Sequence, residues 1–408
     1  MKIINRTFYI DILKGWKDKH VIKVITGMRR SGKTTIMHQF METLKDENVI
    51  EFDFNNIFMK KVSYIELQEL IVSKADDKKT NYLFLDEVQE IENFEKCIVN
   101  LFEHRTIKFD IYITGSNSKM FSSSLTALFT GKNIEIKVFP LSFKEYFSYC
   151  KERNGNIQKL ECFLKYVEYG GLPIILDYVD KEDNTRKIIE KVLADSVEID
   201  VKRRHQIKTN AFQNLLKYIY AHVGQVISGI NIANFLKSNV EAINYKTIMR
   251  YIGWLEEAFL IYKCPISSIT GKRLLLQNNK YYASDTGVRN VECGKENTNR
   301  GSLLENIVLF ELLRKNFRVV TGKLKDGKEI NFVASKEGWE IYIQVTEKID
   351  WDIESKNYKR DIGNLRSVRN NFPKVVISLY DESGVLMNGV MVINIVEWTL
   401  GENKYVVI

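Results

Sequence analysis

Residues 21–35 read VIKVITGMRRSGKTT, and the rest of the chain is read outward from them. Val21 to Thr26 is an apolar run with one lysine, the composition of a strand buried in a parallel sheet. The run stops at Gly27, and GMRRSGKT then matches G-x-x-x-x-G-K-[ST] at every position. Ile36 to Leu44 follows with apolar residues at helical spacing. Strand, glycine loop, lysine, hydroxyl and helix is the order a phosphate cradle requires. Gly27 and Gly32 let the backbone turn tightly enough for its N–H groups to converge on phosphate oxygens. The helix behind them adds its positive N-terminal end. Gly27, Arg29, Arg30, Ser31, Gly32, Lys33, Thr34 and Thr35 are therefore the candidate contacts to a nucleotide, ATP. Lys33 is placed to reach the β- and γ-phosphates, and the Thr34 hydroxyl to ligate Mg²⁺. Such a glycine loop also arises by chance, but the strand before it and the helix after it argue against that.

A second stretch supports the first. Tyr82 to Leu85 is apolar and β-prone and ends in Asp86-Glu87. A P-loop sheet is expected to set this strand beside the first, where Asp86 would hold Mg²⁺ through water. Glu87, one residue on, is the candidate general base that polarises an attacking water. Lys33 and Glu87 are thus the expected catalytic pair. By analogy with the additional-strand class of P-loop proteins, an acid directly after that aspartate points to ATP hydrolysis and away from kinase chemistry.

With 408 residues the chain is too long for one ordinary core, and two or three domains are expected. Hydrophobic residues at 45% and charged residues at 27% describe a globular protein. The net charge of +8 permits contact with nucleic acid or an acidic partner without requiring either. Cys97, Cys150, Cys162, Cys264 and Cys293 are scattered, odd in number and without metal-ligand spacing, as in reduced core thiols. The N-terminus is too polar for a signal peptide and no window reaches eighteen apolar residues, so a cytoplasmic protein without membrane contact is expected.

In chain order, residues 1–20 read as a strand-like start and a short helix, Asp11 to Lys17. Val49 to Phe54 alternates as a second strand, and Tyr64 to Ser73 is apolar at helical spacing. A helix is expected near Phe94 to Glu103, a strand at Asp110 to Thr114, and a fifth strand at Ile134 to Phe139. Alternation at this spacing argues an α/β domain, a three-layer parallel sheet of the P-loop type. The strand at Asp110 ends in Gly115-Ser116-Asn117-Ser118. Ser116 and Asn117 would sit between the two acidic motifs and sense the γ-phosphate, or they form a plain Gly-Ser-Asn turn.

Taken together, GMRRSGKTT, FLDEVQEIENFE, ITGSNSKM, LFTGKNIEIKVFPLSFKEYF, YGGLPIIL, YIGWLEEAFLI and RGSLLENIVLFELL, with EINF and IQV after them, resemble one family in its own order. It is the bacterial and archaeal AAA-type ATP-binding proteins with a C-terminal domain of unknown function. The resemblance implies a nucleotide-binding core, a winged-helix region and a restriction-endonuclease-like C-terminal fold. It also implies that position 132 is a candidate to contact nucleotide across a subunit boundary in a homo-oligomer. The family usually has arginine there. Lys132 cannot reproduce a bidentate guanidinium fork.

The expected division is a P-loop core at 1–140, a helical lid at 141–198, a winged-helix region at 199–290 and the nuclease-like domain at 291–408. The lid turns at Gly170-Gly171-Leu172-Pro173. Residues 200–208, DVKRRHQIK, form a basic run that a solvated helix face would equally explain. Phe212 to His222, Gly229 to Lys237 after an N-cap at Ser228, and Asn244 to Phe259 read as three helices. Ile261 to Leu275 and Lys280 to Ala283 could supply wing strands. Asn244, Lys246, Thr247 and Arg250 fall where a recognition helix would meet double-stranded DNA, although winged helices also pack on protein partners. In the last region, Glu305 and Glu329 keep acidic positions. Asn331, Gln344 and Thr346 stand where a working nuclease needs acids and a lysine, and an amide lacks the charge a hard cation requires. Two readings result, a Mg²⁺-dependent ATPase with slow turnover as one option, and a binding module that uses ATP as a switch. A metal-dependent nuclease is disfavoured.

Overall fold

The computed structural model describes residues 4–56, 58–118, 131–178, 181–207, 210–239, 243–269, 274–294, 299–384, 386–387 and 389–405. It divides into two compact units, residues 1–139 with 257–259, and residues 140–256 with 260–408.

The first unit is built on a five-stranded sheet: β1 Ile22–Thr26, β2 Asn48–Asp53, β3 Thr80–Asp86, β4 Lys108–Gly115 and β5 Asn133–Lys137. The order is β2-β3-β4-β1-β5 and every pairing is parallel. Helices α1 Thr7–Trp16, α2 Lys33–Met41, α3 Tyr64–Lys74 and α4 Phe94–Phe102 complete three layers. Each central strand feeds both faces, because successive side chains point opposite ways. Ile22 and Val24 join Leu83, Leu85, Leu67 and Ile98 on one side; Ile25 joins Phe84, Tyr112, Phe40 and Leu13 on the other. The lysine inside β1 fits this burial because Lys23 donates to the Asp110 carboxylate and to Lys19 O at 2.8 Å. Leaving that ammonium unpaired by removing Asp110 would cost roughly 3–5 kcal/mol.

Two expectations are corrected here. Residues from Thr7 onward form α1, not a strand-like start, because Tyr9, Ile10 and Leu13 share one buried helical face. More consequentially, β3 does not lie beside β1: β4 runs between them and pairs with both. An inserted strand of this kind brings the end of β4 between the glycine loop and the acidic pair.

The second unit opens with α5 Phe143–Asn154, α6 Lys159–Tyr169, a 3-10 turn Pro173–Tyr178, α7 Glu182–Asp195 and a π-helical run Ser196–Arg203. Then come α8 Ala211–Ala221, β6 Val226–Ile227, α9 Gly229–Asn239, α10 Tyr245–Glu257, β7 Ile261–Ser268 and β8 Leu274–Ala283. Ser228 caps α9 as its position suggested, its hydroxyl accepting from Asn231 N at 3.1 Å. β8 starts earlier than the expected wing strand, and residues 270–273 between the strands lie outside the described residues. α11 Thr286–Cys293 and α12 Arg300–Arg314 lead to β9 Arg318–Lys323, β10 Glu329–Lys336, β11 Trp339–Thr346, β12 Lys374–Ser378, β13 Leu386–Met387 and β14 Val390–Asn394.

One mixed sheet runs β13-β14-β12-β11-β10-β9-β7-β8-β6. The β7–β9 pairing is parallel, Ile266 opposite Thr321, so β7 and β8 share one hydrogen-bonded sheet with the C-terminal strands. The pairing leaves neither strand with a bare edge. The turn at Gly170-Gly171 is closed by a distant residue: Gly171 N donates to Asp285 Oδ2 at 2.6 Å and Val288 N to Asp285 Oδ1 at 3.1 Å. A Cβ on Gly170 would lie 1.9 Å from that carboxylate at a backbone φ of 76°, so any other residue there is strained and displaces Asp285. Among the described residues no helix is long and apolar enough to cross a membrane.

Candidate nucleotide site

The loop after β1 owes its shape to three residues with positive φ, Gly27 at 151°, Arg30 at 66° and Gly32 at 98°. A Cβ on Gly27 would meet Val138 O at 2.2 Å, so the loop can lie this close to the chain after β5 only with glycine there. Gly32 is the left-handed N-cap of α2, and Lys33 and Thr34 open that helix. From behind, the buried Arg6 guanidinium donates to Ser31 O at 2.9 Å and Phe139 O at 3.0 Å. It is half a clamp and half a packing element, since it also lies 4.6 Å over the Tyr9 ring. No motif in the sequence signals Arg6.

Lys33 is almost fully buried. Its ammonium donates to Gly27 O at 3.1 Å and Met28 O at 3.3 Å, and lies 3.5 Å from Glu87 Oε1. Thr34 Oγ1 donates to Asp86 Oδ2 at 2.8 Å. Thr114, in β4, donates to the other oxygen of Asp86 and accepts from Glu87 N at 2.9 Å. Thr114 went unnoticed in the sequence because it sits inside an apolar strand, yet it ties both acids to the inserted strand. Glu87 holds a left-handed φ of 54°. Its carboxylate also accepts from the Gln89 amide, which reaches Ser116 Oγ at 3.4 Å. Ser116 and Asn117 are both buried at the end of β4. Arg29 is half-buried, Arg30 exposed and Thr35 half-buried.

The electrostatics arise from this packing. Burial pushes the Asp86 carboxyl up, against hydrogen bonds from Thr114 and Thr34 that favour the anion, while the neighbouring Glu87 charge adds to the rise. Burial opposes ionisation of Glu87 too, but the Lys33 ammonium, the Gln89 amide and the Arg29 guanidinium outweigh it and hold its carboxyl below the usual range.

The residues present fit a magnesium nucleotide. The Ser31 hydroxyl is buried in the loop with no hydrogen-bond partner, an arrangement that costs free energy until a ligand supplies one. Thr34 and Asp86 offer a hydroxyl and a carboxylate, hard oxygens of the kind Mg²⁺ takes alongside substrate phosphates. Among the described residues no three His, Cys, Asp or Glu side chains form a metal cage of their own.

Two further positions singled out in the sequence have partners within their own unit. Lys132 donates to the Glu103 carboxylate of its own unit and lies 6.0 Å over the Phe102 ring. The carboxyl-terminal cluster is closed upon itself. Asn331 Oδ1 accepts from Val345 N at 2.9 Å, Asn331 N donates to Gln344 Oε1 at 3.2 Å, and Thr346 donates to Lys348 O at 3.2 Å. Glu329 lies 3.3 Å from the Lys280 ammonium and Glu305 accepts from Tyr282 OH at 2.9 Å. Lys280, on β8, thus sets a positive charge against Glu329.

A parallel sheet with an inserted strand, a glycine loop, an initiating lysine and hydroxyl, and an Asp-Glu strand end defines the P-loop nucleotide-binding class. Residues 19–147 match the family described as an AAA domain, and residues 160–299 match a domain of unknown function. The chain is 33% identical over 410 residues to an uncharacterized protein of Haemophilus influenzae, covering 98% of this chain and 99% of that protein. It is 30% identical to an uncharacterized protein of Methanocaldococcus jannaschii, over 88% of this chain and 80% of that one. Among solved structures it resembles the Walker-type ATPase of Pyrococcus abyssi, with a TM-score of 0.52 and 14% identity over 71% of this chain and 96% of that one, a likeness of fold. The chain belongs to the bacterial and archaeal family of AAA-type P-loop proteins that carry a further domain of unknown function.

Proposed function

We propose that the protein is a Mg²⁺-dependent ATPase, splitting ATP into ADP and phosphate, whose nucleotide state governs binding of DNA or a protein partner by its second unit. The observation that carries this reading is the convergence of Lys33, Thr34, Asp86 and Glu87 at one end of the parallel sheet. The loop N–H groups and Lys33 bind the phosphates. Thr34 and Asp86 would hold Mg²⁺, which supplies charge neutralisation at the phosphate oxygens. Glu87 takes the proton of the attacking water. Lys33 and Glu87 face each other, so a triphosphate that engages Lys33 removes the cation from the base.

The test is steady-state phosphate release with and without duplex DNA, on the parent and Glu87→Gln. The variant keeps the side chain's size and loses the base, so hydrolysis falls by roughly two orders of magnitude or more while ATP still binds. Turnover of Glu87→Gln at the parental rate removes Glu87 from this role. A parent that binds ATP yet releases no phosphate in either condition leaves the switch reading.

DNA is favoured over a protein partner by one surface of the second unit. The His205 ring stacks on Trp254 with centroids 4.0 Å apart, and the Arg250 guanidinium lies 5.2 Å from the same indole. The stack joins the end of the basic π-helical run, where Arg204 is exposed, to α10, where Lys246 and Arg250 are exposed one turn apart. Together they form a cationic face suited to a phosphate backbone. Arg203 is drawn to Glu198 at 3.3 Å, and Asn244 caps α10 through Thr247 N at 2.8 Å, so neither side chain is fully available to a base edge. Lys208, the end of the basic run, lies outside the described residues.

A further inference from the structure

Gln89 lies in the 3-10 turn Val88–Glu90, directly after the acidic pair. Its amide nitrogen donates to Glu87 Oε2 and reaches Ser116 Oγ at 3.4 Å. Glu87 Oε1, the other oxygen of that carboxylate, lies 3.5 Å from the Lys33 ammonium. Glu87 is therefore gripped twice, by a cation on one oxygen and an amide on the other. Its backbone is fixed as well, with φ of 54° and its N–H bonded to Thr114.

The two grips differ in what a triphosphate does to them. Phosphate oxygens compete with a carboxylate for an ammonium, so Lys33 is drawn off Oε1. A neutral amide already bonded to a carboxylate gains nothing by leaving it. The orientation of that amide is settled by its neighbour, because an ionised carboxylate only accepts hydrogen bonds and must face the nitrogen end. The amide oxygen, Oε1 of Gln89, is then left buried with no hydrogen-bond partner. A buried acceptor of this kind is costly unless something arrives to fill it.

We infer that Gln89 is a positioning residue for hydrolysis: its nitrogen holds Glu87 by Oε2, and its oxygen accepts a hydrogen bond from the attacking water. One hydrogen of that water points to Gln89 while the other passes to Glu87 Oε1. The water oxygen forms the new bond to the γ-phosphorus, the bond to the β-γ bridging oxygen breaks, and that oxygen leaves on ADP. The contact with Ser116 ties this aim to the end of β4. The inference rests on the hydrolytic reading of the site.

Gln89→Met keeps the length of the side chain and removes both hydrogen bonds; Gln89→Ala serves as a second variant should methionine misfold. Either is expected to lower kcat roughly tenfold to hundredfold, the effect of a misplaced reacting group. ATP affinity, measured by titration calorimetry in the absence of turnover, stays within about twofold, since the residue is assigned no phosphate contact. In a Glu87→Gln background the same change adds little further loss, because the two act as one unit. Parental kcat in the Gln89 variants, or a loss carried wholly by ATP affinity, overturns the assignment of Gln89. Parental kcat in Glu87→Gln alone overturns the hydrolytic reading beneath it.

Discussion

The Thr34 hydroxyl donates to the Asp86 carboxylate at 2.8 Å across 52 residues of chain. One group opens the helix after the glycine loop and the other closes a strand two places away in the sheet. Their contact brings the two motifs to a single point, and Thr114 on the intervening strand secures the far side of Asp86. Lys33 stands in the same cluster, bonded to the loop carbonyls and facing Glu87.

Lys33→Ala should weaken ATP binding by about tenfold or more, the worth of one charge-assisted contact to phosphate. Titration calorimetry against ATP with Mg²⁺ measures it directly. Unchanged affinity would mean that the loop is not the phosphate site.

If the second unit binds DNA through α10, Lys246→Glu with Arg250→Glu should abolish a mobility shift that weakens as salt is raised. Both side chains are exposed, so the fold should survive the change. A parent that shifts no duplex at low salt removes DNA as the partner.

No Mg²⁺- or Mn²⁺-dependent cleavage of single- or double-stranded DNA is expected. The amides of Asn331 and Gln344 are engaged with backbone groups, and Lys280 already sits against Glu329. A hard cation prefers its own water to such a site. A plasmid-nicking time course decides the matter: cutting by the parent that Glu305→Ala/Glu329→Ala lacks would contradict it.

Asp285 is expected to carry a pH dependence. Burial pushes its carboxyl up to about 6, although N–H bonds from Gly171 and Val288 and the Arg314 charge favour the anion. An unfolded aspartate titrates at about 4, so the folded state holds the proton more tightly. Its contribution is fully present below about 4 and is lost as pH rises through about 6. The melting temperature of the parent should therefore contain a component that falls between those values, and Asp285→Asn should lack it. Parallel melting curves against pH for the two proteins would show that Asp285 does not titrate in this range.

Local spacing determined a good deal. VIKVIT leading into GMRRSGKTT pointed to a buried strand running into a phosphate loop, because the glycines, the lysine and the hydroxyl come in the required order and spacing. Alternating strands and helices likewise determined a parallel three-layer sheet, and the Asp86-Glu87 pair lay in plain view. Ser228 even announced its helix. The order of the strands was another matter. Nothing within residues 80–115 states that β4 lies between β1 and β3, since every buried parallel strand presents the same apolar run. Thr114 gains its meaning only from that order, which sets it against Asp86 and Glu87. Arg6 at the back of the loop and Lys280 beside Glu329 are lone charges without a motif. The β7–β9 pairing merges regions that the sequence reads as separate. Gly171 and Asp285 meet across 114 residues. Contacts of that range leave no periodicity in the chain, because they are fixed by which surfaces pack together and not by the succession of neighbouring residues.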